Sequence, residues 1–427
     1  MAKGIQAIRG MNDILPTESA YWQWFEAIAR DVMAAYGYQE IRFPIAEKTE
    51  LFVRGIGEAT DVVEKEMYSF EDKSGESVTL RPEGTASCVR AAMQHGLLHN
   101  QQQKLYYLGP MFRYERPQKG RYRQFHQFGV EVFGYHQAEL DAEIIFLSAN
   151  LFKRVGVFDH VTLHINSLGT IEERLAHRTA LIAYLQDNKA VLDEDSVRRL
   201  EKNPLRILDS KNPAMQEMIE SAPSLLDYLT EESLAHFERL KTLLSAAGLS
   251  YRVNPRLVRG LDYYSRTVFE WMTDRLGSQA AICAGGRYDG LVEQFGGKTT
   301  PAVGFGLGIE RLLLLIETLG QKTGLENQPH IYCIATGAEE TTQAVVIAEQ
   351  LRRAFPGLRI LSHCDVGSFK SQFKKADKSM AKLALVIGED ELAKETVTIK
   401  FLREQREQIS CAQRELVTMI ETILKEV

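Results

Sequence analysis

At a typical size of about 150 residues per domain, a chain of 427 residues predicts two or three domains. Its 44% hydrophobic and 25% charged content excludes disordered and fibrous classes, no apolar run reaches the roughly 20 residues of a membrane span, and the opening MAKGIQAIRG lacks the apolar core of a secretory signal. A net charge of −6 excludes a uniformly basic surface for nucleic acid, so such contacts must come from local patches.

The segment from Thr17 to Tyr36 places Trp24, Ile28, Val32 and Ala35 at helical spacing and meets a stop at Gly37. YQEIRFPI follows, alternating Ile41, Phe43 and Ile45 like a strand; Pro44 has no N–H for a ladder, so this strand is predicted at an edge or interface. Strand-like runs recur at Val78–Leu80, Leu105–Leu108 and Val130–Phe133 without regular strand–helix alternation, which predicts a mainly antiparallel sheet. Between about Thr170 and Leu249 the texture becomes helical, punctuated at Pro204, Pro213 and Pro223. Sheet-like sequence resumes at Tyr251, continues through Val268–Met272 and Ala280–Ala284, and ends in the apolar helix IERLLLLIETLG. GQKTGLENQP reads as a linker. Strand and helix then alternate to a last helix over about Ala412–Lys425, a separate α/β domain.

Several chemistries lack their motif. GFGLGIER spaces its glycines as G-x-G-x-G rather than the dinucleotide G-x-G-x-x-G, and the position where a phosphate loop ending in GGKTT needs its first glycine is Val292. Neither H-E-x-x-H nor G-x-S-x-G occurs. The five cysteines form no C-x-x-C pair, so neither a disulfide framework nor a cysteine-based zinc site is encoded, and a reducing, cytoplasmic setting is expected.

The densest segment is LGPMFRYERPQKGRYRQFHQFGVEVFG. Within the eleven residues 113–123, Arg113, Arg116, Lys119, Arg121 and Arg123 stand against Glu115 alone, with Tyr114, Tyr122 and, just beyond, Phe125 interleaved and Pro117 and Gly120 marking a loop between two strands. A hairpin tipped with guanidinium groups suits phosphate, since the planar fork donates paired hydrogen bonds, and aromatics can stack on a base. A solvated charged turn is the alternative, although Gln127 and Glu131 share a face of the following strand. RLVRGLDYYSRTVFEW and CAGGRYDGL set Arg259, Asp262, Tyr263, Tyr264, Arg287, Tyr288 and Asp289 beside glycines; a turn with a surface ion pair is the alternative for each. LRPEGTA offers Arg81, Glu83 and Thr85 on one face if the segment is extended, where an ordinary ion pair is the alternative. Arg311 precedes a run of leucines and, if buried, needs an anionic partner, which a structural carboxylate could also supply.

Together these segments resemble a known family. LYYLGPMFRYERPQKGRYRQFHQ resembles motif 2 of class II aminoacyl-tRNA synthetases, GFGLGIERLLLL resembles motif 3, and the first helix with YQEIRFPI resembles motif 1. RLVRGLDYY and AGGRYDGL resemble the two signatures of the histidyl-tRNA synthetases, of bacterial type. The resemblance implies an α+β fold. Its class II core has a mainly antiparallel sheet flanked by helices and occupies residues 1–169 and 250–320, interrupted by a helical insertion at 170–249. A linker at 321–329 leads to a C-terminal α/β anticodon-binding domain at 330–427.

It further implies activation of L-histidine by ATP, with release of pyrophosphate, and transfer of the histidyl group to the 3′ end of tRNA(His). Charge neutralisation without a protein nucleophile fits such a reaction. By resemblance Arg113 and Arg259 are catalytic, and Arg113, Arg311 and Arg259 hold ATP. Glu83, Thr85, Gln127, Glu131, Arg259, Tyr263, Tyr264 and Tyr288 bind histidine, with Arg287 completing the wall. A carboxylate and a phenol can satisfy both imidazole nitrogens, which an apolar competitor leaves unpaired. Mg2+ arrives with ATP, its protein ligands unassigned, and a homodimer is expected. Arg116, Gln118, Lys119, Arg121 and Arg123 are expected to approach tRNA, as are Lys370, Lys374 and Lys378, which recur every four residues with Lys382; a solvated helix face is the alternative. A non-catalytic paralogue like the synthetase-like subunit of histidine biosynthesis, or a ligase for another amino acid or acceptor, are the rivals. The retained Arg113, Arg259, Arg311 and C-terminal domain weigh against the first, and LVRGLDYY with GGRYDGL against the second.

Overall fold

The computed structural model describes residues 4–58, 60–202, 204–208, 210, 212–277, 281–320, 328–364 and 367–426. It divides into two compact units, Met1–Thr323 and Gly324–Val427. Most of the expected linker, residues 321–327, lies outside the described residues, as does Ala280 of an expected strand.

The first unit opens with α1 (Pro16–Tyr36), which starts on a proline and stops at Gly37, whose φ of 76° is the left-handed conformation that glycine adopts without strain. Its buried face is Phe25, Ala29, Val32 and Met33, of which Val32 belongs to the expected stripe; Trp24 and Ile28 are half-buried and Ala35 is exposed. Next come β1 (Gln39–Glu40), β2 (Ala46–Lys48), α2 (Thr49–Ile56), β3 (Tyr68–Glu71), β4 (Ser77–Leu80) and α3 (Thr85–Gln94). Around Pro44 the predicted strand breaks into β1 and β2, and β1 occupies a sheet edge. The chain continues through β5 (Gln103–Phe112), β6 (Gln124–Phe133), α4 (Ala138–Arg154) and β7 (Thr162–Ser167). Helices α5 (Ile171–Asp187), α6 (Glu194–Lys202), α7 (Gln216–Glu220) and α8 (Glu231–Ala246) follow. The unit closes with β8 (Arg252–Val253), β9 (Ser265–Met272), β10 (Ala281–Arg287), α9 (Leu291–Gln294), β11 (Ala302–Gly308) and α10 (Ile309–Thr318).

Eight strands form one sheet in the order β1-β5-β6-β11-β10-β9-β7-β8, while β2, β4 and β3 form a small second sheet. In the large sheet only the outermost pairs, β1 with β5 and β7 with β8, run parallel. Side chains alternate between its faces. Phe128 and Val130 of β6, Phe305 of β11 and Trp271 of β9 join Phe25, Ile144, Leu147 and Leu240 from α1, α4 and α8 in the main core. The opposite face gathers Tyr107, Met111, Phe133, Tyr263, Tyr264 and Tyr288 in a second cluster rich in phenols. Helices α5 to α7 and the turns between them pack on Leu181, Leu185, Leu200, Ile207 and Met215 as a small core of their own.

The second unit runs β12 (Ile331–Ala335), α11 (Ala338–Ala354), β13 (Ile360–Ser362), α12 (Phe369–Lys378), β14 (Leu383–Ile387), α13 (Glu389–Ala393), β15 (Thr396–Phe401), β16 (Ile409–Ala412) and α14 (Leu416–Glu426). Its sheet order is β13-β12-β14-β15-β16. The first three strands are parallel and the last two antiparallel.

One buried ion pair ties the first unit together. Arg287 and Asp141 are both fully buried, with Arg287 Nε 2.7 Å from Asp141 Oδ1, and His236 Nε2 of α8 lies 2.8 Å from the other carboxylate oxygen. Arg287 also donates to the carbonyls of Tyr135 and Gln137, at 2.9 and 2.8 Å. Removing one partner strands the other charge away from water, so Asp141→Ala is expected to destabilise the unit by about 3–5 kcal/mol. All three tryptophans, at 22, 24 and 271, belong to this unit; a fluorescence-detected urea midpoint unchanged from wild type would refute this.

Candidate active site

The phenol-rich face holds a carboxylate in an unusual setting. Glu131 of β6 is fully buried. Its Oε1 accepts from Thr85 Oγ1 at 2.8 Å and from the Tyr107 hydroxyl at 3.1 Å, and its Oε2 accepts from the Tyr288 hydroxyl. Thr85 opens α3, and its backbone N–H donates to Glu83 Oε2 at 2.6 Å while Ala86 N–H donates to Oε1 at 2.8 Å. Thr85 therefore bridges two buried carboxylates. Beside them Gln127 Oε1 accepts from Gly84 N–H at 3.0 Å.

Space for these groups is cut by glycine. In the antiparallel register Gly304 faces Glu131, and a Cβ at Gly304 would lie 1.9 Å from Glu131 Oε2; at Gly306 it would lie 2.1 Å from Gln127 Nε2. The G-x-G-x-G run is thus a strand whose missing side chains let its neighbour's polar groups lie across it. Gly84 and Gly129 do the same for the Tyr107 ring, each with a Cβ position 2.1 Å from it.

Gln127 also lines an adjoining cleft of about 290 Å³, with Arg113, Arg121, Phe125, Arg259 and Arg311. Arg113 Nε donates to the Pro82 carbonyl at 2.8 Å, and its guanidinium lies 5.5 Å from the Phe125 ring centre. Arg259, on the loop before β9, pairs with Glu270 and lies 5.4 Å from the Tyr264 ring centre. Arg311 is held by carbonyl oxygens, Gly120 at 3.3 Å and Ala281 at 2.8 Å, and no carboxylate among the described residues lies within ion-pair distance of it. Burial, then repulsion from Arg121 and Arg113, lowers its pKa to about 10. Four guanidinium groups line this one cleft, and their charge suits a polyanion. Glu310, next to Arg311, accepts from His126 N–H at 2.9 Å and pairs with its Nδ1, and Trp22 packs edge-on against that imidazole at 4.7 Å.

Several expectations need correction. Arg81, Glu83 and Thr85 do not line a strand: β4 ends at Leu80 and Thr85 is helical. Arg81 instead ties the Phe43, Pro44 and Pro110 carbonyls together. Arg287 forms no wall of the pocket, being consumed by the buried pair with Asp141. Tyr263 and Tyr264 lie tilted at 42° with centroids 4.7 Å apart, and Tyr263 is edge-on to Tyr288 at 5.6 Å. On the loop after β5, Arg116, Gln118 and Lys119 are exposed, whereas Arg121 pairs with Glu115 and Arg123 lies 3.8 Å over the Tyr114 ring. Lys370, Lys374 and Lys378 are exposed on α12. Lys382 is off that stripe because α12 ends at Lys378 and Met380 turns the chain at φ 61°. Two site residues escaped the sequence reading. Tyr107 looks like an ordinary apolar strand residue, and Glu270 carries no signal but its place in a strand four residues from Arg266. Among the described residues no group of three or more His, Cys, Asp or Glu is placed to hold a metal ion.

The family model described as histidyl-tRNA synthetase matches residues 10–312, and one described as anticodon binding domain matches residues 329–423. The crystal structure of apo S. aureus histidyl-tRNA synthetase is 36% identical, covering 97% of this chain and 99% of that chain with a TM-score of 0.82. Histidyl-tRNA synthetase from Nostoc sp. PCC 7120 is 20% identical over 99% of this chain and 100% of that one, with a TM-score of 0.70. A Bacillus halodurans ATP phosphoribosyltransferase regulatory subunit/histidyl-tRNA synthetase is 24% identical over 91% and 99%, with a TM-score of 0.64. These two show the shared fold. Sheet, cleft and C-terminal unit are together those of a class II aminoacyl-tRNA ligase. The chain belongs to the histidyl-tRNA synthetase family, whose members activate L-histidine with ATP and transfer it to tRNA(His).

Burial, opposed by the donors from Tyr288 and Thr85, pushes the Glu131 carboxyl from its ordinary 4.5 up to about 8. The folded protein therefore keeps a proton that the unfolded chain has released. The resulting stability is complete below about pH 4.5 and is lost as pH rises through about 8. Between pH 5 and 8 the unfolding midpoint of wild type should fall relative to Glu131→Gln, whose amide cannot ionise; parallel curves would refute this.

Proposed function

We propose that the carboxylate pocket and the arginine cleft are the two halves of one adenylation site, with Gln127, which belongs to both, at their junction. That continuity carries the reading. Histidine lies with its imidazole towards Glu131, Tyr288 and Tyr264, its amino group towards Glu83, Thr85 and Gln127, and Tyr263 closing the side. Its carboxylate then faces Arg259 and attacks the α-phosphate of ATP held by Arg113, while Arg311 takes the γ-phosphate. The guanidinium groups neutralise charge as the P–O bond to pyrophosphate breaks, and positioning supplies the rest of the acceleration. Magnesium comes bound to the phosphates: the cleft carboxylates Glu115, Glu270 and Glu310 are engaged by Arg121, Arg259 and His126, so the described residues offer no ready cage.

Arg116, Gln118, Lys119, Arg121 and Arg123 form the edge that meets the tRNA acceptor end, the first three through exposed side chains. Lys370, Lys374 and Lys378 form a phosphate-binding stripe on the anticodon-binding unit, with contacts that weaken as salt rises. The catalytic core comprises residues 1–169 and 250–320, residues 170–249 are its insertion, 321–329 a linker and 330–427 the anticodon-binding domain. The working form is a cytoplasmic homodimer. Ile5, Ile8, Ile14, Leu15, Ile45 and Phe70 are exposed apolar side chains that a second copy would cover, and all five cysteines are free thiols, as a reducing compartment requires.

Two measurements test this reading. ATP–pyrophosphate exchange should proceed with histidine alone among the twenty amino acids and fall by about 10²–10³-fold in Arg259→Ala; exchange with another amino acid, or an unaffected variant, would overturn it. Sedimentation equilibrium should give twice the chain mass, and a monomer at micromolar concentration would remove the dimer.

A further inference from the structure

Glu310 stands in the wall between two cavities of opposite charge. On one side is the arginine cleft, where Glu115 and Glu270 are already engaged by Arg121 and Arg259. On the other is a cavity of about 440 Å³, lined by the segment before α1, α1 itself, the loop after β5 and α10. Its lining holds Asp13, Glu18 and Glu317 besides Glu310, against Lys119 as its one lysine or arginine. Repulsion from the acidic side and attraction from the basic side both push the Glu310 carboxylate towards the guanidinium groups. There it would compete with phosphate, because the two anions use the same fork of donors.

His126 is placed to hold it back. The ladder between β6 and β11 ends with Gln127 opposite Gly308, where the chain turns into α10. The next N–H along β6, that of His126, is therefore taken up by Glu310, both of whose oxygens accept it at 2.9 Å. Nδ1 of the ring adds a second contact, 2.9 Å from Oε1, and is its donor, since an ionised carboxylate can only accept. Trp22 of α1 packs edge-on against the imidazole at 4.7 Å and keeps it from swinging away. Arg311, the next residue after Glu310, is left with carbonyl partners alone, at Gly120 and Ala281.

We propose that His126 is a positioning residue for adenylation: it anchors the Glu310 carboxylate in the wall and so keeps the guanidinium groups of the cleft, Arg311 first among them, open to the phosphates of ATP. The assignment rests on the adenylation site proposed above. His126 acts through Glu310 and touches no substrate, so its effect falls on ATP and leaves histidine, whose pocket is built around Glu131 and Glu83, largely alone.

Pyrophosphate exchange titrated with each substrate separately tests this. His126→Ala keeps the backbone N–H and removes the ring donor. It should raise KM for ATP by about tenfold, the worth of one hydrogen bond to a charged group, with KM for histidine within about twofold of wild type. His126→Asn, whose amide nitrogen can take the place of Nδ1, should restore most of the loss. Adding Glu310→Gln to His126→Ala removes the loosened charge and should also lower KM for ATP again. An unchanged KM for ATP in folded His126→Ala would overturn the proposal. So would parallel rises for ATP and histidine, or a double variant no better than the single one, each of which marks a merely structural role. If His126→Ala does not fold, His126→Leu, which fills the space of the ring without a donor, makes the same comparison. Wild type that exchanges with no amino acid would instead bring down the adenylation reading, and this assignment with it.

Discussion

A carboxylate cannot sit inside a β-sheet domain unless the chain clears space for it and surrounds it with donors. Glu131 meets both conditions, and much of the first unit follows from how it does so. Its donors come from three elements, the start of α3, β5 and the loop after β10. Those elements must therefore converge on one point of β6. The clearance comes from β11, whose alternate residues are glycine in register with Glu131 and Gln127. A sheet face that would otherwise be apolar becomes a buried cluster of phenol and carboxylate.

The arginine cleft follows from the opposite sign of the same problem. Arg259 has its carboxylate, Glu270, but Arg311 is held by carbonyl dipoles and crowded by other cations. Arg311, crowded by Arg121 and Arg113 and with no carboxylate of its own among the described residues, is where an arriving polyanion relieves repulsion. Arg113 stands just past the end of β5 and Arg311 in the first turn of α10, while Arg259 is carried by the loop before β9. Around Arg287 the chain resolves charge the other way, matching the buried guanidinium with Asp141 and carbonyls, and the result is structural.

How much of this is legible in the sequence depends on range. Local signals read well: the stop at Gly37, the helical texture after Thr170, and the loop between Tyr114 and Phe125 all reflect neighbours along the chain. The motif segments carry Arg113 and Arg259, which the fold brings to one cleft, and Glu131 and Tyr288, which it brings into hydrogen-bond contact. Partnership is not legible. Nothing in LYYLG distinguishes Tyr107, which reaches Glu131 across the β5–β6 ladder, from Tyr106, which faces the main core. Arg81 and Arg287 share the charge and glycine context of the site arginines and turn out to be internal braces. The strand reading of LRPEGTA failed because Glu83 accepts from the first N–H groups of α3 and so favours a helix start over extension.

The placement of Trp22 gives the protein an optical property of its own. Its indole touches His126, whose backbone and ring are both held by Glu310 at the lip of the arginine cleft. Trp271 is sealed in the main core with its indole N–H on Ser148, so its emission is insulated from the cleft. Trp22 is coupled to the cleft through two side chains. A polyanion that moved Glu310 away from His126 would therefore change the surroundings of the Trp22 indole, and its emission would follow the event without a label.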